Sequence, residues 1–163
     1  MAARFYRFRD FTPADLPLAE RWLRTPEVAR WWGDAEEQLV SLRGHLTDAS
    51  IRQWIVEHGD RPFAYVQAYP VQDWPQPHLM DLPPGAQAVD AFIGEPDMIG
   101  CGHGSAFLGQ LARMLVEEGA PLVSIDPHPQ NERARRAYER AGFVGDEIFD
   151  TVEGPVVLML FTG

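Results

Sequence analysis

From Arg4 to Arg9 apolar and polar residues alternate with period two, a pattern that predicts a half-buried strand. Thr12-Pro13-Ala14-Asp15 then supplies an N-cap residue, a proline at the first helical position and an acidic first turn, predicting a helix to about Arg24. Thr25-Pro26 interrupts the chain before a short segment ending in Trp31-Trp32-Gly33. Asp34 followed by Glu37 repeats the capping pattern and opens a helix through about Leu46. Ile51 to Glu57 and Pro62 to Tyr69 are rich in β-branched, aromatic and aliphatic residues, and His58-Gly59-Asp60-Arg61 between them predicts a hairpin turn.

Beyond Pro70 the chain holds Pro75, Pro77, Pro83 and Pro84 before Gly85, which predicts a loop with Trp74 exposed on it as a ligand lid. Ala88 to Ile93 reads as the next strand. Gly100-Cys101-Gly102-His103-Gly104 leads into a helix carrying Phe107, Leu108, Leu111 and Leu115 on one face and ending at Gly119. Leu122 to Ile125 is a short apolar strand, Asn131 to Ala141 a helix stopped by Gly142, and Phe143 to Phe149 with Val156 to Phe161 two closing strands. The predicted order is β-α-α-β-β-β-α-β-α-β-β.

Length and composition narrow the class. With 163 residues, 45% hydrophobic and 23% charged, the chain fits a single globular domain spanning 1–163. No apolar run approaches the roughly 18 residues of a membrane-spanning helix, and Met1 to Asp10 carries three arginines with no apolar stretch, so the expected location is cytoplasmic with no membrane partner. Cys101 is the sole cysteine, and His45, His58, His78, His103 and His128 are scattered without ligand spacing, so neither an internal disulfide nor a metal site is expected.

The formal charge is −10, from 24 acidic and 14 basic residues, and every basic residue is arginine. Without lysine there is no Schiff-base or lysine-nucleophile chemistry. The negative field disfavours nucleic acid and concentrates cationic small molecules, or else simply keeps the protein soluble.

A glycine-rich turn between strand and helix points unpaired N–H groups and the helix dipole at one spot, which favours a phosphate. The turn lacks the Walker Lys-Ser/Thr pair and the Rossmann spacing. About thirty residues downstream comes Asn131-Glu132-Arg133-Ala134-Arg135-Arg136-Ala137-Tyr138-Glu139-Arg140-Ala141-Gly142-Phe143. Together these segments resemble the GNAT acetyltransferases over nearly the whole chain. Asn131, Ala134, Tyr138, Gly142 and Phe143 match the family's N-x-x-A-x-x-x-Y-x-x-x-G-F segment residue by residue.

The resemblance implies an α/β (α+β) GNAT fold, with a mixed, mostly antiparallel sheet of about seven strands flanked by helices, and acetyl-CoA as co-substrate. It implies that Ile99, Cys101, Gly102, His103, Gly104 and Ser105 surround the CoA pyrophosphate, that Phe92 and Ile93 run beside the cofactor with nearby N–H groups on the thioester oxygen, and that Asn131 and Tyr138 lie near the sulfur. One departure stands out: Ile99 occupies the family's Gln/Arg place and Cys101 a commonly basic one, so phosphate binding leans on backbone groups and on arginines elsewhere.

Acetyl transfer needs an uncharged amine, a donor for the developing oxyanion and a proton for the leaving thiolate. By resemblance Tyr138 is the proton donor. Asp90, a carboxylate in an otherwise apolar strand, is the candidate base; its alternative is a surface-facing strand aspartate, as Tyr138's is a core tyrosine. Within the superfamily, Trp22 to Gly33, Tyr65 to Tyr69, Asp73-Trp74, Val89-Asp90 and Asp126-Pro127 resemble the aminoglycoside 6'-N-acetyltransferases. That implies Trp32, Gln67, Asp73, Trp74, Asp90, Asp126 and Glu153 as the lining of a polycationic substrate site, in a monomer or homodimer. Glu153 stands where Asp is common in that group. A siderophore-type acyltransferase acting on hydroxylysine or a similar amine shares the double-Trp and Asp-Pro-x-Pro-x-Asn segments, and the surplus of carboxylates favours the aminoglycoside. A non-catalytic CoA-binding or polyamine-sensing module is the remaining alternative, disfavoured because Tyr138 and Asp90 are both present.

Overall fold

The computed structural model describes residues 5–163, so the strand expected from Arg4 to Arg9 has its first residue outside them. The elements in chain order are β1 (Tyr6–Asp10), α1 (Leu16–Leu23), α2 (Pro26–Trp32), α3 (Ala35–His45), β2 (Arg52–His58), β3 (Arg61–Pro70), β4 (Gln87–Ile93), α4 (His103–Glu117), β5 (Val123–Ile125), α5 (Glu132–Ala141), β6 (Phe143–Val144), β7 (Ile148–Thr151), β8 (Gly154–Val157) and β9 (Met159–Phe161). Seven strands form one sheet in the order β1-β2-β3-β4-β5-β9-β6, and β7 and β8 form a separate two-stranded sheet. The β4·β5 pair is parallel, while β1·β2, β5·β9 and β6·β9 are antiparallel. This is the mixed, mostly antiparallel α/β architecture expected. Among the described residues no helix is long and apolar enough to cross a membrane.

The chain divides into two compact units, one comprising the residues up to Gln67 with Ala91–Cys101, the other Ala68–Asp90 with Gly102–Gly163. In the first, Phe11, Trp22, Leu23, Val28, Leu42, Ile55, Tyr65 and Phe92 form one buried cluster. Helix α3 starts where its capping pattern puts it, with Asp34 Oδ2 accepting the N–H of Glu37 at 3.1 Å. The first pattern works differently: Pro13–Asp15 is a 3-10 turn and the α-helix begins at Leu16. The Asp15 carboxylate turns back to accept the Thr12 N–H at 2.9 Å and two Arg9 N–H groups at 3.0 Å each. The segment ending in Trp31-Trp32 is itself helical, with Pro26 in its first turn, where the missing N–H costs nothing.

In the second unit Phe107, Leu108, Leu111 and Leu115 of α4 are all buried, as their spacing predicts. Asn131 caps α5 by accepting the Ala134 N–H at 3.2 Å, and Gly142 closes it at φ 111°, a conformation only glycine adopts readily. The two closing strands expected at Phe143 to Phe149 and Val156 to Phe161 are each broken in two. Gly145, at φ 155°, lies against Leu158, and a Cβ there would stand 2.0 Å from the Leu158 carbonyl oxygen. The break diverts β7 and β8 into their own hairpin while β6 and β9 stay in the main sheet.

Candidate active site

The expected loop after Pro70 is tied down rather than open. It contains a 3-10 turn at Pro77–Leu79, and Val71 donates its N–H to the Ala86 carbonyl at 3.0 Å. Val71, His78 and Leu79 are buried. Trp74, expected to be exposed, is half-buried with its ring 6.1 Å from that of Tyr69, whereas Asp73 is exposed. A lid made of Trp74 therefore rests on an anchored segment.

The second unit gathers two carboxylates around two phenols. Asp90 is half-buried at the middle of β4, and Asp126 follows β5 directly, in register with it through the Val89–Ile125 pair. The Tyr69 hydroxyl, at the end of β3, is bonded by the side chains of Asp90 and Gln76. Burial above all, then the negative charges of Asp90 and Asp126, pushes the Tyr69 phenol pKa far up. The same three causes, in the same order, raise that of Tyr138 on α5. Both shifts disfavour the phenolate, so each hydroxyl keeps its proton until a strong acceptor develops beside it. Tyr138 is half-buried with its ring 6.4 Å from that of Phe143.

Asp126 has a further partner that sequence reasoning missed. His78 Nε2 lies 2.7 Å from Asp126 Oδ2, with the imidazole fully buried and the carboxylate 22% exposed. Nothing in the sequence around His78 signals this, because its partner is distant along the chain. Glu153 is exposed at the turn between β7 and β8, where its N–H bonds Thr151 Oγ1 at 3.2 Å.

In the first unit Trp32 and Gln67 meet at Tyr65. The Trp32 and Tyr65 rings are edge-to-face at 6.4 Å, and the Tyr65 hydroxyl donates to Gln67 Oε1 at 2.7 Å while accepting from Gln53 Nε2 at 2.8 Å. Gln67 is buried and Tyr65 stacks on Phe92 at 5.4 Å, so the amide is held by a closed chain of bonds. Next to Ile93, the N–H groups of Gly94 and Glu95 both go to the Phe63 carbonyl, at 2.7 and 3.2 Å, so two of the amides near Ile93 are engaged within the fold. Ile99 donates its N–H to Pro96, and the exposed Cys101 thiol turns toward the Asp97 and Ile99 carbonyls at 3.6 and 3.7 Å.

Helix α4 begins at His103 behind Gly102, whose left-handed φ of 86° sets the entry angle. The first-turn N–H groups of a helix have no acceptor within it, and His103, Gly104 and Ser105 form the first turn, at the positive end of a 15-residue helix. The Ser105 hydroxyl folds back onto the Gly102 carbonyl at 3.2 Å. A helix start of this kind can take an anion through backbone donors alone.

Comparison with known proteins agrees with this fold. A family model described as an acetyltransferase (GNAT) domain matches residues 12–151. The aminoglycoside N(6')-acetyltransferase type 1 of Klebsiella pneumoniae is 28% identical over 94% of this chain and 81% of its own length. A solved structure of the aminoglycoside acetyltransferase AAC(6')-Ib with paromomycin and acetyl-CoA superposes with a TM-score of 0.85 at 26% identity, covering 96% of this chain and 93% of that one. One with coenzyme A and kanamycin gives 0.82 at 27%, covering 96% and 94%.

Proposed function

The chain belongs to the GNAT acetyltransferases, and from that premise we propose that it transfers the acetyl group of acetyl-CoA to an amine of an aminoglycoside, the 6'-amine, and so confers resistance. The observation that carries this reading is the pairing of Asp90 and Asp126 around the Tyr69 and Tyr138 phenols. Two carboxylates at neighbouring positions of the parallel β4 and β5 segments form a cation-binding centre, and the named relatives are aminoglycoside acetyltransferases, one of them solved with kanamycin.

Acetyl-CoA supplies the acyl group as a thioester. Its pyrophosphate would lie at the N–H groups of His103, Gly104 and Ser105, with Ile99, Cys101 and Gly102 in the preceding turn, Phe92 and Ile93 beside the pantetheine, and Asn131 capping the helix that carries Tyr138. Asp90 binds the substrate ammonium and takes its proton, leaving a lone pair for attack on the acyl carbon. The Tyr138 hydroxyl gives its proton to the sulfur as the carbon–sulfur bond breaks. Asp90 passes its proton to solvent, and the second proton, shed by the nitrogen as the amide forms, replaces the one that Tyr138 gave to sulfur, so one proton is released per turnover. Asp126, Asp73 and Glu153 add negative charge for the other ammonium groups, and Trp32, Gln67 and Trp74 offer ring faces and an amide to the sugars.

We assign this to one domain over 1–163, working in the cytoplasm as a monomer or homodimer without nucleic-acid or membrane partners. The test is thiol release from acetyl-CoA in the presence of kanamycin, tobramycin, hydroxylysine and a peptide panel, with the acetylated position read by NMR. Turnover of kanamycin at the 6'-amine supports the reading, and faster turnover of hydroxylysine than of any aminoglycoside overturns it.

A further inference from the structure

His78, bonded to Asp126 in the acidic centre, has no part in the roles assigned so far. It sits in the 3-10 turn Pro77–Leu79, whose Leu79 N–H bonds the Gln76 carbonyl at 2.9 Å, and its ring lies against Phe149 of β7 at 6.1 Å. An ionised carboxylate only accepts hydrogen bonds, so the 2.7 Å contact with Asp126 Oδ2 requires a proton on His78 Nε2. The other nitrogen, Nδ1, is buried without a hydrogen-bond partner in the protein. A buried imidazole with one unpaired nitrogen costs free energy that an apolar ring of similar shape would not, so packing alone gives no reason for histidine here.

What histidine supplies is one N–H fixed on one carboxylate oxygen. The backbone beyond Asp126 is held as well, since the Pro127 carbonyl accepts the Val157 N–H at 2.8 Å. With Oδ2 engaged, Oδ1 is the oxygen left for a cationic partner, and the carboxylate loses little rotational freedom when that partner binds. Resting on the reading of Asp126 as an amine ligand, we propose that His78 is a positioning residue: its Nε2–H locks the Asp126 carboxylate in the orientation that binds a substrate ammonium.

Steady-state kinetics with kanamycin and acetyl-CoA test it on three replacements of His78. His78→Leu keeps bulk against Phe149 and removes the donor, His78→Gln places an N–H near the position of Nε2, and His78→Asn has a donor too short to reach Oδ2. Loss of a hydrogen bond to a charged group should raise the kanamycin KM roughly tenfold in His78→Leu and His78→Asn. kcat and the acetyl-CoA KM should stay within about twofold, and His78→Gln should recover most of the loss. In an Asp126→Asn background His78→Leu should have no further effect, as expected of a residue acting through that carboxylate. Equal KM values for the glutamine and asparagine variants, or an undiminished His78→Leu effect in the Asp126→Asn background, overturn the proposal; the first comparison stands even if the leucine variant does not fold. An unchanged kanamycin KM in Asp126→Asn alone, or no turnover of kanamycin by the wild type, overturns the underlying reading and the positioning role with it.

Discussion

Gly94 lies so close to the indole of Trp22 that a Cβ on it would stand 2.0 Å from Trp22 Cγ. Neither partner can give way. The Gly94 N–H is bonded to the Phe63 carbonyl at 2.7 Å, and the Trp22 Nε1–H donates to Glu95 Oε2 at 2.7 Å from a ring that is 1% exposed. Gly94→Ala therefore forces overpacking in the first unit's core, at a cost of roughly 3 kcal/mol. For a chain of this length that corresponds to a fall in Tm of about 10 °C, measurable by calorimetry. An unchanged Tm would mean that the indole moves aside more easily than its bonds suggest.

Features of this kind mark the boundary of what the sequence discloses. Asp34, Asn131 and Gly142 act within a turn of their own helix, so their roles are legible from neighbours alone, and the burial of Phe107, Leu108, Leu111 and Leu115 follows from spacing. The splitting of the last two strands depends on Gly145 meeting Leu158, a tertiary contact with no local signal beyond the glycine itself. The candidate site divides the same way. Tyr138 and Asn131 belong to one contiguous motif, and Asp90 stands out as a charge in an apolar strand. Tyr69 and His78 acquire meaning only through Asp90 and Asp126, which the fold brings to them from other elements.

Burial and the charges of Asp90 and Asp126 disfavour the Tyr138 phenolate, and the proposed roles of Tyr138 and Asp90 lead to a paired kinetic expectation. Tyr138→Phe removes the hydroxyl while keeping the ring against Phe143, and should lower kcat roughly a hundredfold with little change in either KM. Asp90→Asn deletes the proposed base and should lower kcat by a similar order. Wild-type turnover in the phenylalanine variant would leave Tyr138 as a packing residue only.

Acid stability should depend on Asp15. Burial alone would raise its pKa, but the Arg9 hydrogen bonds, the Thr12 N–H and hydroxyl and the Arg9 charge outweigh this, and the carboxyl lies below its usual value. A carboxylate with a depressed folded-state pKa contributes stability that is fully present above its unfolded pKa of about 4 and is lost as pH falls through the folded value. Wild type should thus be more stable than Asp15→Asn at pH ~7, with the gap closing below about pH 4. Denaturant unfolding across that range measures it, and a gap that stayed constant would remove Asp15 from the acid limb.

Substrate recognition by separated carboxylates carries a signature in ionic strength. Asp73 and Glu153 are exposed, so their fields pass largely through water, where the screening length is roughly 10 Å at 0.1 M salt. The kanamycin KM should therefore rise several-fold between about 20 mM and about 500 mM salt. The acetyl-CoA KM should not follow it: an anion held by backbone N–H groups at the start of α4 is repelled, not attracted, by the chain's net charge of −10, and salt relieves that repulsion. Asp73→Asn separates the two effects further. The residue is fixed by its backbone, with its N–H on the Pro70 carbonyl at 3.2 Å, so the change removes one charge without disturbing the segment that carries it. The kanamycin KM should rise in this variant and its salt dependence should flatten, with kcat nearly intact. If Asp73→Asn instead lowered kcat and left the salt dependence of KM untouched, the carboxylate would be acting on the geometry of transfer and not as part of an electrostatic site for a polycation.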